Sequence, residues 1–243
     1  MSLPKAVIAV GCNCEKNIDK WFRSIIQQTR KDFNCFMAVD SSADKTFSAV
    51  EKIAQQDQRF HVVAKNVVGQ GALYNRYVCT QKVKDPETII MHLDLDDAFY
   101  TPKAIEIVEQ AYQDNDCWLT YGSYTHGDGK PGGWNRVIPD EVWKNNSHRK
   151  NIWSTSALRT FKKWLWDKIK KEDFLLPDGT WIRRGTDMAF MFPMIEMAGK
   201  DRVKYIRDIL YLYNYSHRPQ DRKMEDRSVN YVRNLKIYDK IER

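Results

Sequence analysis

The 243-residue sequence lacks any apolar run that approaches the roughly 18 residues needed for a membrane-spanning helix. It also has little that resembles a secretion signal, because Asn13 and Glu15 interrupt the first apolar stretch soon after the N-terminus. From these absences we expect neither membrane insertion nor secretion, and we predict a cytoplasmic location.

Glycine and proline are scarce, with 11 and 8 residues respectively, which excludes collagen-like and low-complexity chains. No period of about 20–50 residues recurs, so solenoids and propellers are excluded as well. With 42% hydrophobic and 29% charged residues, the chain can bury a substantial core. The composition and length fit a single α/β domain over residues 1–243.

A disulfide framework is also missing, since the sequence contains an odd number of cysteines, five. Four of them lie in or beside apolar runs, where a free thiol behaves as a small hydrophobic side chain. Cys12 and Cys14 form half of a conceivable zinc site, but no second Cys/His pair follows at zinc-finger spacing. We interpret the cysteines as reduced thiols of a cytosol-like compartment.

The formal net charge of +7 permits an anionic partner, such as nucleic acid, a membrane surface or phosphate. Much of the excess lies in residues 217–243, where basic and acidic residues alternate. That segment lacks the aromatic-studded basic stripe of a nucleic-acid groove. We therefore predict no nucleic-acid partner.

Residues 1–100 show strands alternating with helices. Continuous apolar runs of the kind found in buried parallel strands occur at residues 6–10, 35–39, 60–64 and 89–93, with a further strand at 118–121. Helical spacing of apolar residues occurs at 18–28, 46–55 and 72–81, and Thr101-Pro102 begins another helix. This alternation predicts a mostly parallel central sheet with helices on both faces.

The second half is less regular. We predict helices at residues 158–169 and at 188–197, the latter despite Pro193, and short strands at 203–206 and 209–215. Tyr231, Leu235 and Tyr238 give the last segment a helical stripe. No linker divides the chain, so we expect residues 1–100 and 101–243 to be two halves of one domain with a cleft between them.

Ligands of open α/β sheets bind beyond the carboxyl ends of the strands, and the strand at 89–93 is followed by an aspartate cluster. In an extended backbone, Asp94 and Asp96 point to the same side and Asp97 points elsewhere. Two carboxylates on one side favour a hard cation such as Mg²⁺ or Mn²⁺. The alternative is an acidic turn that precedes the helix at 101.

Several ordered motifs resemble the nucleotide-binding half of family-2 glycosyltransferases, which have the GT-A fold. The matching segments are residues 7–13, residues 24–33 (SIIQQTRKDF), residues 39–46 (VDSSADKT), Asn66 with Gly69, Ala72 with Asn75, and the aspartate cluster. The sequence departs from the family pattern at Val39, Ser41 and Tyr74. The resemblance implies a GT-A domain with a smaller, acceptor-side C-terminal part.

The resemblance also implies roles for individual residues. Those expected to bind the nucleotide-sugar are Asn13, Asp40, Asn75, Asp94 and Arg184. Those expected to hold Mn²⁺ or Mg²⁺ are Asp94, Asp96 and His217. Asp187, in the segment Arg-Gly-Thr-Asp-Met, matches the family's general base near the acceptor hydroxyl, although an aspartate needs careful positioning for that task.

Each of these roles has a structural alternative. Asp187 is also suited to capping the helix that follows it. A lone histidine such as His217 is equally suited to a surface position. Trp134, Trp153 and Trp181 offer aromatic faces for a sugar, but packing in the core is the ordinary role of tryptophan.

We therefore predict a metal-dependent, inverting transferase that moves a sugar from a nucleoside diphosphate, with uridine as the expected base, to a glycan or other hydroxyl acceptor. The inverting outcome follows from the family resemblance alone. One alternative is a sugar-1-phosphate nucleotidyltransferase, which also uses an α/β sheet and Mg²⁺. Another is a non-catalytic module that binds carbohydrate or nucleic acid.

Overall fold

The computed structural model describes residues 2–132, 136–214 and 222–242. The strands are β1 Lys5–Gly11, β2 Asn34–Val39, β3 Phe60–Lys65, β4 Ile89–His92, β5 Ala98–Phe99, β6 Leu119–Thr125, β7 Thr160–Lys162 and β8 Val203–Leu212. The helices are α1 Ile18–Ile26, α2 Thr46–Gln56, α3 Ala72–Thr80, α4 Ala104–Asn115, α5 Asp140–Lys144, α6 Lys163–Asp167, α7 Thr186–Ala198 and α8 Arg222–Asn234.

The strands form one mixed, mostly parallel sheet in the order β3-β2-β1-β4-β7-β6-β8-β5. The first four strands of that order run parallel, and β6 runs parallel to β8. The exceptions are β7, which is antiparallel to both β4 and β6, and β5, which is antiparallel to β8. The carboxyl ends of β1, β2 and β4 therefore share one edge of the sheet.

Hydrophobic residues fill both faces of this sheet. In β1, Ala6, Ile8 and Val10 contribute to one buried cluster, whereas Val7 and Ala9 contribute to the other. The first cluster includes residues of α3, α6 and α7, and the second includes residues of α1, α2 and α4. Because both sides of β1 are buried, its sequence is continuously apolar, as the sequence analysis assumed.

The strands and helices predicted for the first half are present, but three predictions for the second half are wrong. Residues 158–169 form strand β7 and the short helix α6, because Phe161 pairs with Ile90 of β4 and Leu119 of β6. The two short strands predicted at 203–215 are one strand, β8, which pairs along its length with β6. Strand β5, which has only two residues, was not predicted.

The third error concerns the last helix. It ends at Asn234, so Tyr238 lies beyond it. The Tyr238 backbone N–H donates to Glu196 (3.0 Å), and its hydroxyl donates to Asp173 (2.6 Å). These tertiary contacts, rather than a helical stripe, place Tyr238 against the protein.

No helix in the described ranges is both long and apolar enough to cross a bilayer.

A buried ion pair anchors α8 and α7 to the segment between α5 and β7. The Arg149 guanidinium donates to both carboxylate oxygens of Glu196 (2.6 and 2.8 Å) and to the Val232 carbonyl (2.7 Å). The exposed fractions of the Arg149 and Glu196 side chains are 3% and 0%. Each charge is therefore compensated only by its partner and by backbone groups.

We expect Arg149→Met to lower the free energy of unfolding by about 3–5 kcal/mol, because it leaves the Glu196 carboxylate buried without its counter-charge. Urea denaturation measures this change. The matched control is Lys200→Met, which removes the cation of an ion pair with Asp140 whose side chains are 55% and 84% exposed; we expect a change of at most about 1 kcal/mol there. Equal losses in the two variants would contradict the prediction.

Candidate functional site

Asp40, directly after β2, organises the loop that leads into α3. One carboxylate oxygen accepts the backbone N–H of Gln70 (2.9 Å), and the other accepts that of Gly71 (2.8 Å). Gly71 has φ +91°, a conformation that a residue with a side chain adopts only with strain. Burial by itself raises the pKa of Asp40, but these two bonds and one from the Asn66 amide outweigh burial and hold the pKa below its ordinary value.

Because its native pKa is lowered, the Asp40 carboxylate stabilises the fold fully above the ordinary aspartate pKa of about 3.9 and loses this contribution as the pH falls through the lower native value. We expect Asp40→Asn to cost about 1 kcal/mol at neutral pH, since the carboxylate is partly solvated. The cost should shrink towards pH 3. Urea unfolding at several pH values measures it, and a cost that does not depend on pH would contradict this reasoning.

The side-chain amide of Asn75 is hydrogen-bonded to the same loop. Asn66 donates to Asp40 (3.2 Å) and to the Asn75 side-chain oxygen (2.7 Å), and Asn75 in turn donates to the Gly71 carbonyl (3.0 Å). Asn75 is 1% exposed. The structure therefore places this predicted nucleotide-binding residue beneath the loop, where its contacts hold the Asp40 network together.

Asn13, after β1, joins two neighbouring loops. It has φ +55°, its side-chain oxygen accepts the backbone N–H of Ala43 (2.9 Å), and its own N–H donates to Ser42 (3.1 Å). Ser42 donates in turn to the Asp40 carbonyl (2.8 Å). Asn13 is exposed, and its contacts with Ser42 and Ala43 place it next to the loop that begins at Asp40.

The aspartate cluster is a tight turn rather than an extended segment. The Asp97 N–H donates to the Asp94 carbonyl (3.1 Å), which closes a turn over four residues. The expectation that Asp97 points away from Asp94 and Asp96 is therefore wrong. Ligand atoms of the three carboxylates lie within 4.8 Å of one another. This convergence adds Asp97 to the two cluster residues that sequence reasoning selected.

Gly11, the last residue of β1, lets this turn approach the sheet. A Cβ at this position would lie 2.7 Å from the Leu95 Cβ and 2.7 Å from the Cys14 sulfur. The Leu95 N–H donates to the Val10 carbonyl (3.0 Å), so the turn continues the hydrogen bonding of the sheet edge. Because Gly11 has no side chain, the turn that carries the three aspartates can lie this close to β1.

The electrostatics of the turn suit a cation. Burial, followed by the charges of Asp96 and Asp94, raises the pKa of Asp97 to about 8. One Asp97 oxygen accepts the Tyr211 hydroxyl, and the other accepts the Asn214 N–H (2.7 Å). Three carboxylates that repel one another in one turn are the donor set that Mg²⁺ and Mn²⁺ prefer.

Arg76 of α3, which sequence reasoning missed, connects the aspartate turn to α7. One guanidinium nitrogen donates to both oxygens of Asp94 (2.9 and 2.7 Å), and another donates to Asp187 (3.1 Å). Arg76 is 5% exposed, and the charges of Asp94 and Asp187, with a hydrogen bond to Asp94, outweigh burial and raise its pKa. Arg76 is the one charged residue of α3, and this was the available signal.

Asp187 lies between two arginines. Its second oxygen accepts from Arg159 (2.9 Å), which follows a loop far from Arg76 in sequence. Gly185 is the residue that precedes α7, and the helix has no side-chain cap. The alternative that Asp187 caps α7 is therefore wrong. Its carboxylate is instead 31% exposed and faces the side of the sheet that carries Asp94.

The remaining predicted residues differ in their placement. Arg184 is half-buried in the loop before α7, but it is Arg183 that donates to the Gly69 carbonyl (2.8 Å) and reaches the Asp40 loop. His217 and Trp134 lie outside the described residues. Trp153 packs against Phe192 (ring centroids 5.3 Å apart), and Trp181 packs among Tyr74, Tyr77 and Phe174. Both tryptophans are half-buried and pack against other aromatic side chains, which is the ordinary role of tryptophan.

Comparison with known sequences gives one match. The sequence profile described as Glycosyl transferase family 2 matches residues 6–197, which include Asp40, the aspartate turn and Asp187. No curated protein matches the chain.

Solved structures share the architecture. The crystal structure of S. aureus TarS has a TM-score of 0.64 and 17% identity over 93% of this chain and 39% of its own. The crystal structure of S. aureus TarS 1–349 in complex with UDP has a TM-score of 0.63 and 16% identity, and the match covers 95% of this chain and 65% of the other. The mannosyltransferase PcManGT from Pyrobaculum calidifontis, in complex with GDP-Man and Mn²⁺, has a TM-score of 0.63 and 16% identity. That match covers 90% of this chain and 59% of the other.

This chain spans less than two thirds of each of these three proteins. At such identities the likeness concerns the fold, and it confirms the predicted GT-A architecture. 

Proposed function

We propose that this chain, which belongs to glycosyl transferase family 2, transfers a sugar from a nucleoside-diphosphate sugar to a hydroxyl group of a glycan or another small acceptor. One observation carries this proposal: consecutive residues of α3 join the Asp40 loop to the aspartate turn. Asn75 holds the loop, and Arg76 holds Asp94. A nucleoside and its diphosphate need two such adjoining sites.

The donor would lie along the carboxyl ends of β2, β1 and β4. Asp40 and Asn13, which lie in adjoining loops, would contact the nucleoside. Asp94 would lie next to the ribose or the diphosphate. Uridine is the base we propose, supported by TarS structures in complex with UDP and with UDP-GlcNAc. The mannosyltransferase in complex with GDP-Man makes guanosine the second base to test.

Asp94, Asp96 and Asp97 would hold Mn²⁺ or Mg²⁺, since hard oxygen donors converge in their turn. A divalent cation at that place supplies charge stabilisation to the departing diphosphate. Hydrogen bonds fix two of the three side chains: Arg76 orients Asp94, while Tyr211 and the Asn214 N–H orient Asp97. Asp94 and Asp96 are half-buried, whereas Asp97 is buried, so the first two carboxylates would face the cation from the solvent side.

Asp187 is the proposed general base. The guanidinium groups of Arg76 and Arg159 bind one oxygen each and hold the carboxylate in one orientation. In this role Asp187 accepts the proton of the acceptor hydroxyl, the oxygen attacks the anomeric carbon, and the bond to the diphosphate breaks. A single attack of this kind inverts the anomeric configuration, as the family resemblance implies.

Product analysis tests this proposal. The protein is incubated with UDP-glucose, UDP-GlcNAc or GDP-mannose, Mn²⁺ and a panel of sugar acceptors, and nucleotides are separated by chromatography. We expect UDP or GDP to appear together with a glycosylated acceptor. Formation of UTP or GTP on addition of pyrophosphate would instead favour the nucleotidyltransferase alternative. Binding of sugars without any nucleotide product would favour a non-catalytic module.

A further inference from the structure

Three aromatic rings meet at the carboxyl ends of the neighbouring parallel strands β6 and β8. Tyr124 and His126 have ring centroids 5.4 Å apart, and the Tyr213 ring lies 5.6 Å from each of them. Tyr124 lies in β6, and His126 directly follows the last residue of that strand. We call these three residues the aromatic platform.

The backbone fixes the platform. The Tyr213 N–H donates to the Thr125 carbonyl (2.8 Å), which extends the pairing of β6 and β8 to this point. The His126 ring nitrogen lies 3.3 Å from the Tyr213 carbonyl oxygen. Tyr213 is 43% exposed and His126 is exposed as well. Tyr124 is half-buried, and a Cβ at Gly132 would collide with its ring, so the exposed aromatic surface belongs to Tyr213 and His126.

The platform borders the aspartate turn. Tyr213 lies between Tyr211 and Asn214, both of which donate to Asp97. Burial, followed by the charges of Asp97, Asp94, Asp96 and Asp187, raises the pKa of Tyr213 to about 12, so its phenol is neutral and able to donate a hydrogen bond. The platform is therefore joined to Asp97 through residues on either side of Tyr213.

The platform also lies across the turn from the Asp40 loop. In the sheet order, β2 and β1 lie on one side of β4, and β6 and β8 lie on the other side. The aspartate turn follows β4, so it separates the Asp40 loop from the aromatic platform. A hydroxyl that attacks the donor sugar must approach from the side opposite to the leaving diphosphate.

We propose that the aromatic platform is the acceptor subsite, in which the exposed Tyr213 ring stacks against a pyranose ring of the acceptor while Tyr124 and His126, inclined to it by 53° and 78°, hold it in place. This inference rests on the proposed function, since it assigns the partner of the same reaction. The C–H faces of a pyranose are apolar and flat enough to pack on aromatic rings, whereas the phenol of Tyr213 can donate to a sugar hydroxyl. An acyclic polyol offers no such flat face.

Saturation-transfer NMR tests the platform directly. Methyl β-D-glucopyranoside and methyl N-acetyl-β-D-glucosaminide serve as probes, with sorbitol as the acyclic comparison. We expect aromatic saturation to reach at least one pyranoside, and binding to weaken about five- to tenfold in Tyr213→Ala. Tyr213→Phe should retain the stacking. The control is Tyr100→Ala, which removes a tyrosine that is 42% exposed outside the platform.

Equal signals in Tyr213→Ala and Tyr100→Ala, equal saturation of sorbitol, or no pyranoside signal in the wild type would each overturn the platform. Calorimetry with UDP and Mn²⁺ on the same samples separates this result from the proposed function. If UDP binds equally to the wild type and Tyr213→Ala, and both proteins give the same saturation of the pyranosides, only the assignment of the platform is wrong. If UDP does not bind the wild type, the proposed function is wrong.

Discussion

We expect the Asp96→Ala variant to lose metal-dependent binding of UDP, with affinity reduced on the order of 100-fold in the presence of Mn²⁺. The family resemblance assigns the metal to Asp96, which lies half-buried in the turn where its carboxylate converges with those of Asp94 and Asp97. Its removal takes away one of the three oxygen donors that a divalent cation would use there. Calorimetric titration of UDP with Mn²⁺, and again with EDTA, measures the loss.

The matched control is Asp208→Ala, which removes the same charge from an exposed position on β8. That variant should bind UDP as the wild type does. If Asp96→Ala retained wild-type affinity with Mn²⁺, or if EDTA left wild-type affinity unchanged, the assignment of the cation to this turn would be wrong.

The second large effect concerns Asp187→Asn, which should reduce sugar transfer about 10²–10⁴-fold while leaving UDP affinity within about threefold. The amide has nearly the size of the carboxylate and can still accept from Arg76 or Arg159, but it cannot take up the acceptor proton. Turnover is measured by UDP release with acceptor present, and binding is measured by calorimetry on the same preparation.

Because Asp187 balances two arginines, its replacement also lowers stability, and UDP binding shows that the variant is folded. Simultaneous loss of UDP binding and turnover would assign Asp187 a structural role through Arg76 and Asp94. Retained turnover would exclude it as the base. Either result would leave the aspartate turn and the Asp40 loop as they are described.

The central strands of the first half were predictable because they are buried on both faces. A run such as residues 6–10 has no polar position to conceal its strand character, and turn residues separate it from the amphipathic helix α1. Local pattern and tertiary environment therefore agree. The same holds for β2 and β4, whose ends carry Asp40 and Asp94.

Prediction failed where long-range pairing decides the local structure. Phe161 and Leu165 have helical spacing, yet Phe161 is inserted between β4 and β6 as part of β7. Nothing near residue 161 in the sequence indicates these partners. The antiparallel strand β7 also breaks the parallel pattern that the alternation of the first half predicts.

At the candidate site, the types of residues were predictable and their connections were not. The aspartates were found, but a turn closed by the Asp97 N–H differs from an extended chain only in backbone angles. The link from Arg76 to Asp187 joins residues that are 111 positions apart, and Arg159 approaches from a third segment. Such contacts follow from the packing of α3, α7 and β7, which no local pattern describes.

Anomalous diffraction from crystals grown with UDP and Mn²⁺ tests the central claim most directly. We predict an anomalous peak for manganese between the carboxylates of Asp94 and Asp96, with the diphosphate beside it and the base beside Asp40. A peak that lies elsewhere, or UDP bound away from both Asp40 and the aspartate turn, would contradict the account.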